Sequence, residues 1–190
     1  MILQKIEAIR KGCNDRNIPL HLDGARLFNA LVETGESPLQ YGQAFDSISI
    51  CLSKGLGCPV GSLLLGMREV LNKARRFRKV MGGGWRQAGF LAAAGIYALD
   101  NHIERLKEDH ARAKVIGEMF SHLPEVEEIF PVDTNIVIIR LAAEISEADY
   151  VQKLAKEGIL AVAFGKNLVR FVTHLDFTDD HLEELKKRIS

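Results

Sequence analysis

Three side chains in the first third of the sequence have the types and spacing to do chemistry together: Asp23, Arg26 and Lys54. Lys54 lies in Ser49-Ile50-Cys51-Leu52-Ser53-Lys54-Gly55-Leu56-Gly57-Cys58-Pro59-Val60-Gly61-Ser62, where an apolar run ends in one amine and small, turn-forming residues follow. A lone lysine in a glycine-rich turn is ordinarily solvated. If Leu52, Leu56 and Val60 shield it, its charged form is disfavoured, and it becomes an amine able to attack a carbonyl and form a Schiff base. Asp23 closes the earlier apolar segment Pro19-Leu20-His21-Leu22-Asp23-Gly24. A buried carboxylate there needs a cationic partner, and a protonated pyridine nitrogen is one. Arg26 adds a planar guanidinium that can grip a carboxylate at two points, which lysine cannot.

The elements that must position these groups alternate. Apolar spacing predicts a helix from Ile2 to about Arg16, opening without a capping residue as if something preceded it, and then a strand over 19–24. A helix over 25–32 follows, broken at Gly35-Glu36-Ser37-Pro38, then strands over 45–52 and 62–65 and a basic helix over 68–80. This βαβ style favours an α/β sheet with helices over its faces, and strand ends in such sheets face the ligand crevice. After Gly82-Gly83-Gly84, residues 85–122 read as one long helix with Gly89 and Gly95 as interior weak points, carrying the chain between domains. Four short strands (126–130, 135–141, 159–164 and 168–172) interleave with helices over 147–157 and 179–189, the last capped by Thr178. The expected organisation is a first domain over 1–100 and a smaller α+β domain over 101–190.

Composition narrows the function classes. The chain has 190 residues, 47% hydrophobic and 26% charged, as an ordinary soluble globular protein has. Lys plus Arg and Asp plus Glu balance at 25 each, so no overall field favours nucleic acid or a membrane surface. Cys13, Cys51 and Cys58 form no C-x-x-C pair and suit a reducing, cytoplasmic compartment. No apolar run approaches a spanning length. The glycine clusters lack the G-K-[ST] of a nucleotide-binding loop. His102, His110, His122, His174 and His181 have no metal-ligand spacing, so no metal is expected, and His174 stands close in sequence to Arg170.

Longer stretches carry a resemblance. His21-Leu22-Asp23-Gly24-Ala25-Arg26-Leu27-Phe28-Asn29-Ala30, the Asp46 to Ser62 stretch around Ser53-Lys54-Gly55, Lys79-Val80-Met81-Gly82-Gly83-Gly84-Trp85-Arg86-Gln87-Ala88-Gly89, and Leu168-Val169-Arg170-Phe171-Val172-Thr173-His174 together resemble the low-specificity L-threonine aldolases. These are pyridoxal-phosphate enzymes of the aspartate-aminotransferase-like fold. The resemblance implies the second half of such a cofactor domain followed by a small α+β domain. It implies pyridoxal 5'-phosphate as cofactor, Lys54 as the Schiff-base lysine, Asp23 at the pyridinium nitrogen and Ser53 among the cofactor contacts. Arg26 is implied at the cofactor edge and substrate carboxylate, and Arg170 as the second carboxylate-binding arginine. Lys79 and Arg86 are expected at a cofactor phosphate or a neighbouring subunit.

The reaction so implied is aldol cleavage of L-threonine or L-allo-threonine to glycine and acetaldehyde, in a homo-oligomer acting on a small amino acid. In the family, the phosphate loop and a ring-stacking histidine precede the H-x-D-G-A-R segment. This chain has twenty residues there, so it resembles the family's C-terminal part. Two alternatives follow: a partner subunit or fragment that needs an N-terminal part, and another pyridoxal-phosphate lyase that eliminates from aromatic amino acids.

Overall fold

A computed structural model describes residues 3–189. Ile2, at the start of the first predicted helix, lies outside them. The chain divides between Glu104 and Arg105 into two compact units.

The first unit opens with helix α1 (Leu3–Asn14), which buries Ile6. Arg10 on this helix pairs with Asp46 through contacts of 2.5 and 3.1 Å, and Asp46 also accepts the Leu20 amide at 2.7 Å. One carboxylate thus ties the helix to the chain just before strand β1 (His21–Asp23). Helix α2 (Leu27–Thr34) ends where Gly35 turns left-handed at φ 70°. Helix α3 (Pro38–Ala44) stands where the sequence predicts only a break. Its signal was present: Ser37 accepts the Leu39 amide, Gln40 returns a bond to the Ser37 amide, and Pro38 needs no amide partner in the first turn.

Strand β2 (Ser47–Cys51) runs parallel to β1, with Asp23 opposite Ser49, and buries Ile48 and Ile50. Strand β3 (Ser62–Gly66) pairs antiparallel with β2, giving the order β1-β2-β3. The α/β expectation holds, but only β1 and β2 form a parallel crossover. Helix α4 (Arg68–Val80) follows; β3 is exposed along its length, and α4 buries no residue, with only Leu71 and Ala74 half-covered.

The long helix predicted over 85–122 is two helices, α5 (Gly89–Asn101) and α6 (Leu106–Ser121). Gly89 starts α5 rather than weakening it. Gly95 is buried, and a Cβ there would stand 3.1 Å from Leu52 Cδ1, so this glycine allows close packing. Between the helices, His102 Nδ1 lies 2.7 Å from the Leu56 carbonyl oxygen and its ring meets Tyr97 edge-on at 5.4 Å.

The second unit places α6 with strands β4 (Val126–Ile129) and β5 (Ile136–Leu141), helix α7 (Glu147–Lys156), strands β6 (Val162–Gly165) and β7 (Leu168–Val172), and helix α8 (Asp179–Ile189). Thr178 precedes α8 and its carbonyl accepts the Leu182 amide, while its hydroxyl lies 2.9 Å from His181 Nδ1. The sheet is antiparallel in the order β4-β5-β7-β6. Alternation sends Val137, Ile139, Leu141, Val169 and Phe171 into a core shared with Ile116 and Phe120 of α6 and Leu182 of α8. Each such side chain stabilises the fold by about 1.5–3 kcal/mol when fully buried. The opposite face carries Arg140 and Arg170, both half-buried.

Candidate active site

Parallel pairing of β1 and β2 brings the carboxyl ends of both strands to one edge of the sheet. Asp23 is the last residue of β1, and the Gly24 amide then donates to the Ser49 carbonyl at 2.8 Å. A Cβ on residue 24 would sit 2.8 Å from that same oxygen and 3.2 Å from Ile48 Cγ2. Only glycine lets the chain pass so close to β2, so Gly24 fixes where Asp23 stands.

Lys54 is carried by the loop after β2. Leu52 donates its amide to Gly61 at 2.9 Å, closing the base of the loop, and the Cys58 amide donates to the Leu52 carbonyl. Inside this closure the Lys54 carbonyl accepts the Gly57 amide at 2.9 Å, a turn that Gly57 completes at φ 72°. Leu52, Leu56 and Cys58 point inward and pack with Ala98 of α5, and burial pushes the Cys58 thiol's pKa up. The loop is therefore anchored by its apolar side chains while Ser53 and Lys54 face solvent.

Two expectations are corrected here. Lys54 is exposed, because Leu52 and Leu56 are used in the core and Val60 is itself 41% exposed, so they do not shield the amine. Asp23 is exposed rather than buried, and its Oδ1 accepts the Ala25 amide at 3.2 Å in a local turn. Arg26 occupies the position before the first turn of α2 and is half-buried. Asp23, Arg26, Ser53 and Lys54 thus all stand at or just after the carboxyl ends of β1 and β2, at one end of one sheet.

Lys79 and Arg86 lie apart in the chain, on either side of the glycine triplet, and both are exposed. The triplet caps α4. Gly82, at φ 84°, donates its amide to the Lys79 carbonyl at 3.2 Å, and Gly83 donates to the Arg78 carbonyl at 2.8 Å. Both bonds are those of a Schellman motif, so this glycine cluster satisfies the last carbonyls of a helix.

Arg170 belongs to the second unit, in the middle of β7, with Ile138 opposite on β5 and Val162 opposite on β6. Just beyond it, Thr173 is buried and fixes the end of the strand. Its hydroxyl donates to the Asp109 carbonyl at 2.7 Å, its amide to Asn135 at 3.0 Å, and Asn135 Nδ2 donates back to the Thr173 carbonyl at 2.8 Å. The Arg170 guanidinium lies 4.7 Å from the centroid of the Phe164 ring. Its Nε is buried without a hydrogen-bond partner among the described residues. Phe164 is a contact that sequence reasoning missed. Alternation puts Phe164 on the face of Val162, which stands opposite Arg170, and that pairing of β6 with β7 is not a local pattern. His174 is exposed, and its Nδ1 accepts the Asp176 amide at 3.3 Å. No cluster of three or more His, Cys, Asp or Glu suited to a metal occurs among the described residues. No helix among them is long and apolar enough to cross a membrane.

Comparison with known proteins places these features in a context. The family model described as "Beta-eliminating lyase" matches residues 1–144. The low specificity L-threonine aldolase of Escherichia coli strain K12 is 44% identical over 171 residues, spanning 90% of this chain and 50% of that protein. The low-specificity L-threonine aldolase of Candida albicans is 37% identical over 187 residues, spanning 98% of this chain and 49% of that one. The chain thus spans about half the length of these relatives. Among solved structures, a putative L-allo-threonine aldolase from Listeria monocytogenes superposes with a TM-score of 0.77 at 21% identity, over 98% of this chain and 55% of that one. A PLP-dependent aminotransferase from Streptococcus suis gives 0.72 at 16% identity, over 100% and 53%. At those identities the likeness is one of fold, and the fold is that of the PLP-dependent aminotransferases.

Proposed function

The chain belongs to the beta-eliminating lyase family, and from that membership we propose that it carries out pyridoxal-phosphate-dependent aldol cleavage of threonine or allo-threonine to glycine and acetaldehyde. The observation that carries this reading is the placement of a carboxylate and an amine, Asp23 closing β1 and Lys54 following β2, at the carboxyl ends of two parallel strands. The donor set there fits the cofactor: an accessible amine for its aldehyde, a carboxylate for its ring nitrogen, and the Ser53 hydroxyl beside the amine. The chemistry that pyridoxal phosphate supplies when bound is an aldehyde for amines and a conjugated pyridinium that takes up the electron pair of a broken Cα–Cβ bond.

The chain's own residues would then divide the work. Lys54 would hold the aldehyde carbon covalently and yield it to the substrate amine. The Asp23 carboxylate would keep the ring nitrogen protonated by opposing its charge. Arg26 and Arg170 would take the substrate carboxylate, fixing which bond at Cα is presented for cleavage. Lys79 and Arg86 would serve a phosphate or a neighbouring subunit. The high identity to aldolases of bacterial and fungal origin supports the substrate class.

Borohydride reduction in the presence of pyridoxal phosphate, followed by peptide mass analysis, tests the reading. A pyridoxyl group is expected on Lys54 and absent from K54A, and a label on another lysine overturns it. Assaying threonine, allo-threonine and tyrosine side by side separates aldol cleavage from β-elimination, since acetaldehyde and pyruvate are distinct products. The half-length span favours a second reading, in which this chain supplies one part of a site completed by another polypeptide. Co-expression with an N-terminal part would then be needed for cofactor absorbance to appear.

A further inference from the structure

The outward face of the second unit's sheet carries two arginines stacked on phenylalanines. Arg140 lies 5.1 Å from the Phe130 ring centroid, and Arg170 lies 4.7 Å from that of Phe164. Register places them on the same face, since Arg170 stands opposite Ile138 and Arg140 opposite Leu168 on the same pair of strands. They differ in what else they hold. Arg140 Nε donates to Glu128 at 3.0 Å, across the β4–β5 pair. The Arg170 side chain has no hydrogen bond or ion pair among the described residues, and its Nε is buried without an acceptor.

With its Nε sealed off from acceptors and no carboxylate of this chain on it, the guanidinium keeps unused donor capacity. A ring face beneath a guanidinium is the one partner that fixes the plane of the group while leaving its in-plane donors unused. We infer that Phe164 is the positioning residue of Arg170: it holds the guanidinium flat and free of carboxylates of this chain, as a receptor for the carboxylate of an amino-acid ligand. Alternation along β6 from Val162, the residue opposite Arg170, puts Phe164 on the same face of the sheet as the guanidinium. The inference rests on the reading of Arg170 as a carboxylate-binding residue and adds to it the group that prepares the arginine. Phe164 is 48% exposed, so its role is not that of a core residue.

The test is a titration with glycine of the chain labelled with 15N-arginine, following the arginine Nε–Hε resonances by NMR. The Arg170 resonance is identified by its loss in R170K, and Arg140 serves as the internal control. In the unsubstituted protein glycine is expected to shift the Arg170 signal and leave Arg140 in place. F164L is expected to weaken that binding by about twofold to fivefold, the fold-change of an exposed ring–cation contact, and F164Y to restore it. If glycine shifts Arg170 equally well in F164L, the positioning role of Phe164 is overturned and the carboxylate reading stands. If glycine leaves Arg170 unmoved in the unsubstituted protein, the carboxylate reading fails and the inference fails with it. Hydrogen exchange of the Arg170 Hε needs no variant: protection relative to free arginine supports the stack, and exchange at the free rate overturns it.

Discussion

The Gly24 amide donates to the Ser49 carbonyl oxygen at 2.8 Å, and that oxygen is also what a side chain on residue 24 would strike. The two facts make one constraint: strand β1 can deliver Asp23 beside β2 only if the next residue has no Cβ.

G24A is therefore expected to separate the strand ends and destabilise the first unit by about 1–3 kcal/mol, as overpacking against backbone does. Urea unfolding followed by circular dichroism measures it. A midpoint equal to that of the unsubstituted chain would show that the backbone yields without cost.

The Schellman cap of α4 gives a second substitution. Gly82 sits at φ 84°, where an L side chain is strained, so G82A should cost about 1–2 kcal/mol. G89A is the contrast, since nothing lies within 4 Å of a Cβ there and its φ is not left-handed. It should leave thermal stability unchanged or slightly raised.

Acid sensitivity follows from Asp46. The bond from Arg10, with the Leu20 amide, holds its carboxyl below the usual aspartate range in the folded chain. A carboxylate with a depressed folded pKa adds stability that is fully present above the unfolded value of about 3.9 and is lost as pH falls through the folded one. D46N should flatten the fall in stability below about pH 4–5, measured as urea midpoints from pH 3 to 7. An unchanged profile would mean that the Arg10–Asp46 pair does not anchor α1.

In the second unit, Phe120 is fully buried and its ring centre lies 4.6 Å from that of Phe171. F120A should cost about 3–5 kcal/mol, the usual loss for a buried aromatic. Near-ultraviolet circular dichroism and thermal melts report it, and retention of a cooperative melt at the original temperature would contradict the core described.

Much of the fold was legible because it rests on local periodicity. The basic helix α4 matches its predicted range, and the seven strands fall where alternation or apolar runs put them. Pro38 alone reads as a breaker, whereas Ser37 and Gln40 form a capping box around it and α3 follows. The single helix over 85–122 failed at residues 102–105, where the ring of His102 meets a carbonyl 46 residues earlier, an interaction that no window of sequence contains.

For the candidate site the division is similar. The order and types of Asp23, Arg26, Ser53, Lys54 and Arg170 are written in the chain, and so is the family. Exposure was not: the same apolar neighbours could have shielded Lys54 or filled a core, and contact with Ala98 of a later helix decided for the core. Nor could the sequence reveal Phe164 under Arg170, since that contact depends on which strands pair and in what register. Chemistry-bearing residue types are properties of single positions and can be read from a sequence. Which side chains shield, stack or leave a donor open is a property of pairs brought together from distant parts of the chain, and only the folded structure decides it.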